Sequence, residues 1–122
     1  MAMVGYLEGT DPLVLTRFNL RGIATLPLGN GFDAHGKYIG HLTKKDNISV
    51  VAGYLHKVLP PVGVDFSPRD FLSACHTHDI PVLIVAPKAE HNLARKSLGE
   101  AADWATLVDP GELYEKALAL CL

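Results

Sequence analysis

A chain of 122 residues holds one domain, expected to run over residues 1–122, and leaves no room for a second core. Its hydrophobic content of 48% and charged content of 20% are those of a globular protein, and folding at this length buries roughly two-thirds of the unfolded surface. A formal net charge of −2 leaves no electrostatic footprint for nucleic acid or an anionic membrane, so neither is expected as a partner.

No apolar run approaches the roughly 18 residues of a spanning helix, and no basic, then apolar, leader pattern opens the chain. Cys75 and Cys121 form no CxxC pair and are too few for a disulfide scaffold. A reducing cytoplasm is the expected setting.

In chain order, Val4 to Leu7 reads as an initial strand, although its pattern is short. Asp11-Pro12 is a helix start, and the apolar spacing of Leu13 to Leu20 continues it as far as Gly22. Ile23 to Leu26 predicts a buried strand. A glycine-rich segment follows from Pro27 to Gly40, in which a short helix is predicted from about Gly31 to Leu42. Lys44-Lys45-Asp46-Asn47 is a solvated turn, and Ile48 to Leu55 a strong strand interrupted by Gly53. Pro60-Pro61 and Gly63 make Val58 to Phe66 a long connection.

The second half is more regular. Ser67-Pro68-Arg69-Asp70 combines a hydroxyl N-cap, proline at the first helical position and a carboxylate placed for a capping box. The helix it opens carries Phe71, Leu72, Ala74 and Cys75 on one face and ends near Asp79. Ile80 to Ala86 is nearly continuous aliphatic, the pattern of a strand covered on both faces. Lys88 to Leu98 is a helix stopped by Gly99, Trp104 to Val108 a further strand, and Asp109-Pro110 the cap of a final helix carrying Leu113, Ala117 and Leu120.

Strands alternating with helices over short connections predict a three-layer α/β/α sandwich, flavodoxin-like or Rossmann-like, around a mostly parallel sheet of four to five strands. In such sheets ligands lie beyond the carboxyl ends of the strands. The segments expected there present Asn30, Asp33, His35, Lys37, Tyr54, His56, Lys57, Lys88 and Asp109.

The segment around Gly29-Asn30-Gly31 is the richest of these. It is no Walker loop, which needs GxxxxGK[ST]. Gly29, Gly31 and Ala34 satisfy a tolerated form of the dinucleotide fingerprint, but Val50 to Tyr54 lies where that fingerprint requires an acidic residue. Asp33 and His35 share a face only if the segment is extended, since two residues on a helix point about 200° apart. His35 would then be a general base with Asp33 as orienting carboxylate, and His56 is the other acid/base candidate at the same mouth. No GxSxG nucleophile elbow is present.

Cys75-His76-Thr77-His78 is the one local group of metal-ligand types, but its spacing is that of no zinc motif, and a structural place for each residue is expected instead. No metal site is predicted, and no cofactor is indicated.

The leading expectation is a domain binding an anionic, possibly phosphorylated, small molecule through Asn30, Gly31, Asp33, His35, Lys37 and His56. The alternatives are an enzyme using His35 or His56 as acid/base, and a non-catalytic assembly subunit. The apolar loop Val58-Leu59-Pro60-Pro61-Val62 favours a homo-oligomer in any of these cases.

Overall fold

The computed structural model describes residues 2–122. It contains β1 (Met3–Leu7), α1 (Pro12–Leu20), β2 (Ala24–Gly29), β3 (Lys37–Tyr38), β4 (Val50–Tyr54), α2 (Leu55–Val58), α3 (Pro68–Thr77), β5 (Val82–Val85), α4 (His91–Leu98), β6 (Thr106–Val108) and α5 (Leu113–Cys121). The six strands form one sheet in the order β3-β2-β1-β4-β5-β6, with every neighbouring pair parallel. That is the order of the Rossmann-type doubly wound sheet. The predicted α/β/α sandwich is therefore the architecture, with six strands in place of four or five.

Alternation along the strands sorts the core into two layers. Val50 and Ala52 of β4, with Leu83 and Val85 of β5, meet Val14 and Phe18 of α1 and Leu113 and Ala117 of α5. Val51, Val82 and Ile84 point the other way, onto Phe71, Leu72 and Cys75 of α3 and onto Leu98. β4 and β5 are covered on both faces, which explains their unbroken aliphatic sequences.

Helix starts follow their capping residues. The Asp11 carboxylate accepts the Leu13 N–H at 2.9 Å, with Pro12 opening α1. Ser67 and Asp70 form the reciprocal box: Ser67 N–H donates to Asp70 Oδ2 at 2.8 Å, and Asp70 N–H donates to Ser67 Oγ at 3.4 Å. Asp109 and Glu112 form another, which opens a 3₁₀ turn ahead of α5.

The prediction for Gly31 to Leu42 is corrected. No α-helix forms there; an irregular turn leads into the two-residue β3, then into a 3₁₀ turn over Ile39–His41. Gly31 and Gly36 hold φ of 91° and 65°, left-handed values that a right-handed helix cannot contain. β2 also runs three residues beyond its predicted end. Pro27 is tolerated because pairing with β3 begins only at Leu28, leaving that side of β2 an edge at residue 27.

Cys75 is 1% exposed within the layer under α3, where it packs as a small hydrophobe. Burial pushes its thiol up from 9.0 to about 12. Because the folded value is the higher one, this contribution to stability is complete below pH 9 and is lost as pH rises towards 12. Between about pH 8.5 and about pH 10 the loss is expected to be about 1 kcal/mol. Urea unfolding of the wild type and of Cys75→Ala measures it: the variant starts less stable but shows a shallower alkaline decline. Parallel declines would show that the thiol ionises as freely in the native state as in the unfolded one.

Candidate functional site at the strand switch point

The strand order reverses between β1 and β4, whose chains continue to helices on opposite faces of the sheet. Such a switch point opens a crevice at the carboxyl ends of the strands. Three loops meet here: Glu8–Asp11 after β1, Asn30–Gly36 after β2, and the turn of α2 after β4.

Lys57 ties the three together. Its Nζ lies 2.5 Å from Glu8 Oε2 and 3.0 Å from Asp33 Oδ2. The hydrogen bonds to Glu8, and next to Asp33, hold the ammonium above the usual lysine range. Lys57 is thus a fixed positive charge, not a base or a nucleophile. The three side chains together carry one net negative charge.

Asn30 braces the same junction from beneath. It is 6% exposed, and its Nδ2 donates to the Lys57 carbonyl at 2.8 Å. Its Oδ1 accepts the Phe32 and Asp33 amides at 2.8 and 3.0 Å, closing the turn that aims Asp33 at Lys57. Asn30 therefore shapes the mouth from within.

The other predicted residues are placed as follows. Gly31 is exposed, beside the Tyr38 ring. His35 donates its Nδ1–H to the Leu28 carbonyl at 2.9 Å, and its ring meets Tyr6 edge-on with centroids 5.6 Å apart. Lys37, in the outer strand β3, pairs with Asp46 at 2.7 Å, and this bond, with the Thr43 amide, lowers the Asp46 carboxyl below the usual carboxylate range. His56 is exposed on α2, stacked near Tyr54 with centroids 6.1 Å apart. Asn30, Gly31 and Asp33 thus share one turn with Lys57 against it, whereas Lys37 is engaged elsewhere.

Sequence reasoning placed Lys57 at this mouth but left it out of the expected ligand set, and it did not single out Glu8. Each reads locally as a solvated charge. Their role becomes visible only once β1 is known to lie between β2 and β4.

Beside the triad, Asn30, Gly31, Phe32, Tyr38, Val64 and Phe66 line a cleft of about 260 Å³. Phe32 and Phe66 meet edge to face at 6.4 Å, and both rest on Phe71 of α3, at 5.5 and 4.7 Å. A wider depression of about 400 Å³ lies between residues 40–43 and α3, but no charged network converges on it.

The first βα turn differs from that of nucleotide-binding sheets of this strand order. There a glycine-rich turn brings a pyrophosphate onto the N-terminus of the first helix. Here the Asp11 carboxylate takes the Leu13 N–H, and the buried Thr10 hydroxyl turns inward to donate to the Leu7 carbonyl at 2.7 Å. The chain supplies its own anion at that position.

Elsewhere the polar groups have structural partners. His76 stacks on Trp104 with centroids 4.0 Å apart, and the His78 and Asp79 N–H groups close the end of α3 on the Ala74 and His76 carbonyls. Among the described residues no group of three or more His, Cys, Asp or Glu is arranged to hold a metal ion. None of the helices described is long and apolar enough to cross a membrane. In the 58–62 loop Val58 is buried and Val62 fully exposed.

Compared with protein-family models, curated proteins and solved structures, the chain matches none of them.

Proposed function

We propose that this chain is a small-molecule-binding domain whose ligand lies across the carboxyl ends of β1, β2 and β4. The observation that carries this reading is the Lys57 ammonium at the switch point, held by carboxylates from two other loops. Charged groups gathered where three strands end are a strong mark of a ligand crevice in this architecture. The aromatic cleft beside them gives an apolar surface for a planar group.

The electrostatics refine the chemical class. Lys37, the ammonium expected to hold an anion, faces Asp46, and Lys57 faces Glu8 and Asp33. The first helix N-terminus is occupied by Asp11. A neutral, hydroxyl-bearing molecule with a flat apolar part, of nucleoside type, suits this mouth better than a phosphate. Its hydroxyls would donate to Glu8 and Asp33 and accept from Lys57, while its ring lodges against Phe32, Tyr38 and Phe66. An anion enters only by displacing Glu8, whose side chain is 46% exposed.

A thermal-shift series with adenosine, uridine, ribose 5-phosphate and inorganic phosphate tests the reading. A nucleoside present at a hundred times its Kd adds about 2.7 kcal/mol of stability. That shift is expected to vanish in Lys57→Met, which leaves Glu8 and Asp33 without their cation. A shift from the phosphates alone would restore the anion reading. No shift from any of the four would remove the support for a nucleoside or sugar-phosphate site.

A further inference from the structure

We infer that β6 pairs antiparallel with β6 of a second copy of this chain, about a two-fold axis at Thr106, joining two six-stranded sheets into one. This interface stands independently of the ligand crevice.

The argument begins with the direction of the backbone groups. Along a strand, the N–H and C=O of one residue point to one side and those of its neighbours to the other. The Val108 carbonyl accepts the Ala86 N–H at 3.0 Å, so Val108 faces β5, and Thr106, two residues back, faces it too. Leu107 therefore faces outward, as does Ala105, which is extended with φ −142° and ψ 159°. Since β6 ends the sheet, the N–H and C=O groups of Ala105 and Leu107 have no strand to meet.

One register satisfies all of these groups. With Thr106 on the axis, Ala105 of each copy lies opposite Leu107 of the other, and each such pair exchanges two hydrogen bonds. An axis at Leu107 would set Ala105 against Asp109. The Asp109 N–H already donates to Glu112 Oε1 at 3.1 Å, and its carbonyl accepts the Glu112 N–H at 2.8 Å. An axis at Ala105 would set Leu107 against Asp103, which lies inside the 3₁₀ segment Gly99–Trp104.

The surroundings of the edge fit the same occupant. β6 carries neither a charge nor a proline, the devices that keep natural edges from pairing, whereas β3 at the opposite edge begins with Lys37. Hollows flank β6 on both sides. One, beside α5, is lined by Leu83, Thr106 and the exposed Leu120. The other, beside α4, is lined by Arg95, Asp103 and Leu107, and neither Arg95 nor Asp103 forms an ion pair among the described residues. A two-fold axis sets each surface against its own copy. The apolar hollow then meets an apolar hollow, and the mixed one offers a cation and an anion to an anion and a cation. Thr106 meets Thr106, a favourable cross-strand pair. A second copy is thus matched in hydrogen bonding, hydrophobicity and charge.

Sedimentation equilibrium from roughly 1 μM to roughly 1 mM brackets the Kd expected of so short a contact. The wild type is expected to pass from monomer to dimer within that range, and a monomer throughout overturns the proposal. Thr106→Lys sets two ammonium groups against each other at the axis and is expected to raise Kd at least about tenfold. A dimer that survives this substitution unweakened overturns the pairing and moves the interface elsewhere. A second variant keeps the test sharp should lysine disturb the fold. Thr106→Cys, made with Cys121→Ser, is expected to form an interchain disulfide under mild oxidation, because residues opposite one another in a non-hydrogen-bonded pair approach closely enough for one. Leu13→Cys on α1, in the same Cys121→Ser protein, reports random collision. Cross-linking at 106 well above that level supports the register; equal cross-linking at the two positions overturns it.

Discussion

Gly36→Ala is expected to destabilise the fold by about 3 kcal/mol or more, an effect at the high end for a single methyl group. Gly36 has φ of 65°, where a β-carbon is strained in any surroundings. Its surroundings are also closed, because that β-carbon would overlap the carbonyl of Pro27. The obstacle is backbone of β2, which cannot rotate aside as a side chain does. Relief requires the turn to lift away, which breaks the pairing of Leu28 with Lys37 and of Gly29 with Tyr38. Asp33 and His35 would leave their partners with it. Gly99→Ala provides the comparison, since Gly99 has φ of 59° but nothing within 4 Å of a new β-carbon. Strain alone should cost about 1 kcal/mol there. Urea unfolding of the two variants separates strain from collision. Equal losses would mean that the turn yields freely and that its closeness to β2 contributes little.

Phe71→Ala is expected to cost 3–5 kcal/mol, roughly the range for emptying a buried phenylalanine site. The ring is 2% exposed and lies in the layer between α3 and the sheet. It also supports the cleft, because Phe32 and Phe66 both lean on it. One substitution therefore acts on the core and on the mouth. Phe32→Ala separates the two effects, since Phe32 is 42% exposed and its removal opens no buried cavity. Stability should fall steeply in Phe71→Ala and little in Phe32→Ala, while adenosine stabilisation weakens in both. A Phe71→Ala protein that keeps its full adenosine shift would detach the core ring from the cleft.

What could be read from the sequence was what is local in it. Asp11-Pro12, Ser67-Pro68-Arg69-Asp70 and Asp109-Pro110 mark helix starts because each cap satisfies amides within three residues of itself. Val50 to Tyr54 and Val82 to Val85 declare themselves as strands because burial on both faces requires apolar residues at every position. β3 has no such signature, for two residues cannot express a period. The Gly31–Leu42 segment misled for a related reason: its polar groups are satisfied by Asn30 and by β2, not by its own i,i+4 neighbours. The triad was the least accessible, since Glu8 and Lys57 are 49 residues apart and meet only through the strand order. The position of Asn30, Asp33 and Lys57 beyond the carboxyl ends of the strands was legible, but the pairing of their charges was not. Lysines were read as free cations whose partners lie far away in sequence.

The position of β1 at the centre of the sheet bears on how the chain can be made. During synthesis β1 gains β2 as a neighbour after about twenty residues, but waits for β4 before its other side is closed. Until then a growing chain carries an open, apolar strand edge in what becomes the middle of the molecule, the kind of surface that pairs with other chains. β4 is thus the strand that closes the remaining edge of β1. The Glu8–Lys57 contact, formed just beyond that junction, fastens the two halves only after they have met.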